Sequence, residues 1–301
     1  DVCQRCHLQG NAVIMPGKSF FDFRPGMKLS DYLTVFMPKY EGMEDQFIMA
    51  SHAERLKMSQ CFIQTEAKTT AHPSDSLRPY KDAFTCVTCH NPHVSVKETN
   101  DDHFNNACQS CHGTGKSKLN KCSDTPAHLA AAGNNCVSCH MPRSGAIDIP
   151  HVSVHDHFIR RPSENKTAKE DVEGVKKFLG LYAVNSKNPP KQIIAKGYLQ
   201  QFEKFDHDPQ LLDSAKKYLP ENSTATVRSN YDDLIHYYFL KNDFMGVKSV
   251  ADRAGRQYAL DSILIHITFD NADAWTAYRT GEAFFKLGDP ATAELFYKKS
   301  V

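Results

Sequence analysis

The chain has 301 residues, 41% of them hydrophobic and 24% charged, with a formal net charge of +1. That length suits two domains of about 100–200 residues each, and no apolar run approaches the roughly 18 residues of a membrane span. Ten cysteines could suggest a disulfide scaffold, but such scaffolds are usually short chains with irregular cysteine spacing.

The first element, "CQRCH", brings Cys3, Cys6 and His7 together almost at the start of the chain. No charged-then-apolar leader precedes it, so Asp1 reads as a mature start from which a targeting peptide is absent, and the protein as exported. Met15, Met27, Met37, Met43, Met49 and Met58 follow and read as adaptable apolar filler. "HAERLKMSQC" then reads as a helical turn opening at His52 and ending at the lone Cys61, and His72 precedes Pro73, which favours an extended backbone there. "CVTCHNPHV" supplies Cys86, Cys89 and His90, with His93 three residues on; "CQSCH" supplies Cys108, Cys111 and His112; a second lone cysteine is Cys122; and "CVSCH" supplies Cys136, Cys139 and His140. His128 stands eight residues before Cys136, and "HVSVHDH" places His151, His155 and His157 at one strand parity.

Four copies of C-x-x-C-H point to covalent c-type haem. Two cysteines three residues apart share one side of a helical turn, where both sulfurs can bond the vinyl groups of one porphyrin edge. The next residue, a histidine, then offers its imidazole to the iron. A zinc site would pair two C-x-x-C units and require no histidine after each one, whereas a redox dithiol would occur once, near a βαβ pattern that this sequence lacks. The stretches between motifs are rich in Gly, Pro, Asn, Ser and Thr, so four haems would themselves supply much of the apolar core.

Residues 1–162 therefore read as a tetrahaem c-type cytochrome domain with little regular structure. Cys3, Cys6, Cys86, Cys89, Cys108, Cys111, Cys136 and Cys139 are its attachment points, and His7, His90, His112 and His140 its proximal ligands. The surplus of histidine favours a second imidazole on each iron, with His52, His72, His93, His128, His151 and His157 as distal candidates. His103 and His155 read first as hydrogen-bonding groups, and His93 lies too close to His90 to serve the same iron. Thioether attachment belongs outside the reducing cytosol, where spare thiols tend to pair. Cys61 and Cys122 are accordingly expected to form a disulfide, the alternative being two unpaired thiols.

No cysteine follows Cys139, and after a polar linker and helix start at 163–170 the character changes. Residues 163–301 read as an all-α helical-hairpin domain similar to tetratricopeptide repeats. "AWTAYRTGEAFFKLGDPATAELFYKKS" carries Gly281 and Phe284, a turn at Gly288 and Asp289, then Ala293 and Tyr297, the small and aromatic residues of closely packed helix pairs. "EKFDHDPQLLDSAKKYL" and "YFLKNDFMGVKSVADRA" read as degenerate copies. Trp275 is off the repeat's consensus position, and an ordinary helical-hairpin domain is the alternative. His207, His236 and His266 read as surface or helix-packing residues, and the repeat half as a protein-docking surface.

On "CVTCHNPHVS", "NCVSCHMPRSGAIDIPHVSVHDHFIRRP" and "HAERLKMSQC", the chain resembles exported multihaem c-type cytochromes that carry tetratricopeptide repeats. The resemblance covers much of residues 52–162. It implies distal roles for His72, His93, His151 and His157; the spacing of similar tetrahaem carriers favours His52 or His72, and His151 or His157. It also implies electron transfer, with redox proteins or neighbouring copies of the chain as partners, and extends to proteins that polymerise into extracellular filaments.

Full axial coordination would leave iron no open position, hence the expectation of an electron carrier rather than an enzyme. The alternative is a periplasmic reductase of small nitrogen or sulfur oxyanions with one open haem. Haem propionates would bring the assembled net charge to about −3 to −7, which disfavours nucleic acid as a partner.

Overall fold

The computed structural model describes residues 1–43, 47–71, 82–113, 122–146, 149–162, 177–255 and 271–301. The protein is mainly α and divides into two compact units. One comprises residues 1–10, 24–27 and 42–177, the other residues 11–23, 28–41 and 178–301. The expected linker at 163–170, together with His72 and His266, lies outside the described residues.

The first unit is built from short helices: α1 (Gln4–His7), α2 (His52–Lys57), α3 (Gln60–Ala71), α4 (Cys86–Cys89), α5 (Asp101–His112), α6 (Pro126–Ala131) and α7 (Cys136–His140). Each C-x-x-C-H motif occupies a helical turn or helix end, as its spacing requires. Polar caps start four of these helices by satisfying amide groups that a helix leaves open, with Thr125 accepting from the His128 amide on α6. Thr85 and Thr88 form a reciprocal capping box on α4; Asn100 accepts from the His103 amide on α5; and Asn135 accepts from the Val137 and Ser138 amides on α7. A hairpin of β3 (Arg143–Ala146) and β4 (Ile149–His155) completes the unit, with Ala146 and Val154 packed beside Phe47 and Ala50.

The second unit begins with strands that the sequence reading did not separate from the cytochrome half. β1 (Asn11–Ile14) pairs antiparallel with β2 (Leu33–Tyr40), and β2 pairs antiparallel with β5 (Phe178–Ala183). Val13, Phe36 and Ile193 form one buried cluster with Met15 against it, and the Asn11 side-chain amide donates to the Gly197 carbonyl at 2.7 Å. Residues 11–23 and 28–41 thus belong with the C-terminal unit rather than with the segment before 163, because β2 pairs with β5 and Val13 and Phe36 pack on Ile193. Two of the methionines read as apolar filler are placed in this sheet: Met37 is buried in β2, and Met15 packs on the same sheet's core.

Behind the sheet, α8 (Lys191–Lys204), α9 (Pro209–Lys216), α10 (Thr224–Ser229), α11 (Tyr231–Leu240), α12 (Phe244–Ala254), α13 (Asn271–Lys286) and α14 (Pro290–Tyr297) form helical hairpins. In the last hairpin, a Cβ on Gly281 would stand 2.9 Å from the Tyr297 ring, so only glycine permits this approach; Phe284 stacks on Phe296 with ring centroids 5.8 Å apart. The turn between them uses Gly288 at φ +81°, and Asp289 caps α14 by accepting from the Thr292 amide. His207 is exposed on a loop, with Nδ1 2.8 Å from the Phe202 carbonyl. His236 is enclosed between helices, its Nε2 3.3 Å from Glu203, which also pairs with Arg279 at 3.0 Å.

Candidate haem-binding site

Four imidazoles from distant parts of the sequence meet in the first unit. His7 ends α1, His52 opens α2, His90 follows α4 and His157 lies two residues beyond β4. His7 and His52 have ring centroids 6.0 Å apart at 79°; His90 and His157 have centroids 6.1 Å apart at 24°. Between the pairs, His52 and His157 touch edge to face at 4.6 Å.

These spacings test whether the residues suit an iron porphyrin. Metal–imidazole bonds run about 2.0–2.1 Å and a ring centroid sits about 1.1 Å behind its ligating nitrogen, so imidazoles trans on one metal have centroids about 6.3 Å apart. Both motif pairs fall within a few tenths of an ångström of that figure; the His52–His157 contact is too short to span a metal. Aromatic packing alone also allows separations of 4.5–7 Å. What distinguishes the two pairs is their membership: each joins a C-x-x-C-H histidine to a non-motif histidine far away in sequence. Among the described residues, no three His, Cys, Asp or Glu side chains converge on a single metal position.

The electrostatics favour the ligating, neutral form of imidazole. Burial, reinforced by the neighbouring His52, pushes His157 down to about 4. Burial also lowers His52, and burial followed by His52 lowers His90. His157 Nδ1 lies 3.0 Å from the His155 carbonyl; donation there leaves Nε2 for a metal, the usual arrangement for a ligating histidine.

The sulfurs of the C-x-x-C-H motifs are grouped as well. Cys86 hydrogen-bonds with Cys3 and Cys108 with Cys136, which brings motifs one and two together and likewise motifs three and four. Burial is the first cause of the raised thiol values, reaching about 12 for Cys108. Asn105 on α5 accepts from the Cys136 amide at 2.9 Å, and Asn135 donates to Asp101 at 3.0 Å, tying α5 to α7. His140 Nδ1 lies 2.9 Å from the Arg160 carbonyl, again leaving Nε2 available; His112 ends α5 and is exposed.

The other candidates are placed differently. His93 is exposed. His128, exposed on α6, has Nδ1 2.6 Å from Asp124. His151 is exposed at φ +63°, a backbone region uncommon for residues with a Cβ, so the strand parity expected for 151, 155 and 157 is broken. His155 Nδ1 faces the Met141 carbonyl at 2.9 Å, and His103 Nε2 the Cys89 carbonyl at 3.2 Å, both in hydrogen-bonding roles. Cys61 and Cys122 are separate thiols: Cys61 is half-buried on α3, near Cys111, while Cys122 is exposed.

Sequence reasoning overlooked the groups that hold the paired histidines. Arg55, one helical turn after His52, donates from Nε and Nη2 to the two oxygens of Asp156 at 2.8 and 2.6 Å. Ser59 donates to the His157 carbonyl at 3.0 Å and accepts from the Ile159 amide at 2.8 Å. Ser51 accepts from the Gln9 amide at 3.1 Å, linking the residue before His52 to the loop after His7. The one available signal was position: an arginine one turn from His52 and an aspartate beside His157. No family model, curated protein or solved structure matches this chain.

Proposed function

We propose that the protein is an exported multihaem c-type cytochrome that passes electrons along four covalently bound, bis-histidine haems, and that it carries a tetratricopeptide-like helical domain. The observation that carries the reading is the pairing of His7 with His52 and of His90 with His157, each at the separation of imidazoles trans on one metal. Haem, when bound, supplies a one-electron iron couple whose potential responds to axial ligands, hydrogen bonding and burial. The chain's own residues then do the rest. The motif cysteines would anchor the ring edges, His7, His90, His112 and His140 would hold one face of each iron, and His52 and His157 would close the opposite face of the first two. Contact between His52 and His157 would bring those two centres close, the condition for rapid exchange. Redox proteins or further copies of the chain are the partners, with the helical hairpins as the docking half.

Absorbance of the pyridine adduct, intact mass and low-temperature paramagnetic resonance of the oxidised protein test this together. Four covalent haems and low-spin signals are expected, and His52→Ala and His157→Ala should each convert one low-spin centre to high spin without loss of haem mass. Absence of a c-type band, or retention of every low-spin signal in both variants, would refute the assignment.

A further inference from the structure

We propose that the Arg55–Asp156 ion pair is a positioning clamp that fixes both distal imidazoles at once and so couples the first two haem centres; this rests on the haem reading above. Arg55 is 1% exposed and Asp156 2%, and the guanidinium meets the carboxylate side-on through two short bonds. Such a two-point fork fixes direction as well as distance. The Phe47 and Phe158 rings each lie 5.3 Å from the guanidinium carbon, and the Met58 sulfur lies 3.6 Å from Nη1. Asp156 is held in turn by the Phe158 amide at 3.0 Å, with Arg160 at 3.9 Å.

Neither partner is one of the paired imidazoles; each acts through the segment that carries one. Arg55 stands on α2, whose first residue is His52, and Asp156 immediately precedes His157. A buried ion pair is weak evidence for stability, since desolvation offsets much of its attraction, and fixing one arrangement among several is its better-attested use. Here the arrangement fixed is the 4.6 Å contact between the His52 and His157 rings. Ser59, two residues after α2, provides a second tie to the same segment through the His157 carbonyl and the Ile159 amide.

The test uses the full haem-loaded protein. Arg55→Met and Asp156→Asn are each expected to shift two low-spin resonance signals together and leave the other two unchanged. Purely electrostatic action would instead move the potentials in opposite senses, down on losing the cation and up on losing the anion, with the signals unaltered. Arg55→Lys, which keeps the charge but not the fork, should restore the potentials more than the signals. Should a single variant fail to fold, Arg55→Met/Asp156→Leu removes both charges together, and the same paired shift is expected from it. Unchanged signals in variants carrying four haems would overturn the clamp alone, whereas wild-type protein without haem would overturn the underlying reading.

Discussion

Glu203→Gln in the helical unit gives the sharpest quantitative test of the charge arrangement. The carboxylate on α8 stands between His236 on α11 and Arg279 on α13, at 3.3 and 3.0 Å. Hydrogen bonding from His236, then the charges of His236 and Arg279, hold it at about 2 against an ordinary value of 4.5. That difference corresponds to about 3.4 kcal/mol if fully realised. The Glu203 side chain is 36% exposed, and burial lowers His236 so that its charge is absent at pH 7; screening and the missing charge reduce this to about 1–2 kcal/mol.

Stability from this carboxylate is fully present above about pH 4.5 and is lost as the pH falls through about 2, with roughly half gone near pH 3.3. Trp275, the single tryptophan, lies 5.4 Å from the Arg279 guanidinium, so its fluorescence reports on this cluster. Urea unfolding followed at Trp275 should show the variant about 1–2 kcal/mol less stable than wild type at pH 7, with the gap shrinking by about half near pH 3.3. An equal gap at both pH values would refute the reasoning, because the loss would then come from packing alone.

Gly246→Ala would place a Cβ 2.3 Å from the Tyr238 ring; overpacking should cost about 1–3 kcal/mol, outweighing a helix-propensity gain of about 1 kcal/mol, and a calorimetric melting temperature at or above wild type would contradict this. Burial, followed by the neighbouring Asp232, raises Asp233 to about 7. Its folded state thus binds the proton more tightly than the unfolded state, and stability falls as the pH rises from about 4 through about 7. Asp233→Asn, which retains an acceptor for the Gln192 amide, should flatten that decline in denaturant titrations between pH 5 and 8, where an unchanged slope would count against it. Alkylation without reductant should modify exposed Cys122 before half-buried Cys61, whose thiol is raised by burial. Blocking of both until reductant is added would instead establish the pairing expected from an oxidising compartment.

The features legible in the sequence were those fixed by local spacing. C-x-x-C-H places its three side chains on one turn whatever surrounds it, and Gly281, Phe284, Ala293 and Tyr297 mark two helices that must meet closely. The paired histidines were only partly legible. His52 stood open against His72, and His157 could not be separated from His151, because an extended backbone gives 151 and 157 one parity whereas His151 adopts φ +63°. Arg55 and Asp156 went unseen because 101 residues separate them, and neither belongs to a spaced motif. The same limit hid the sheet: Val13 and Phe36 look like apolar residues of a haem-wrapping segment until Ile193 is brought against them.

The three-stranded sheet also limits how the molecule can be divided experimentally. A recombinant fragment starting after residue 162 would retain Phe178–Ala183 but lose both strands that precede it in the sheet order, stripping the Ile193 pocket of Val13 and Phe36 and leaving a raw edge open to aggregation. The C-terminal portion is therefore not self-sufficient: its folding requires a ribbon that lies far upstream in the chain, and closing that long loop is entropically slow. Limited proteolysis within the intervening stretch should consequently yield pieces that stay associated until denaturant is added.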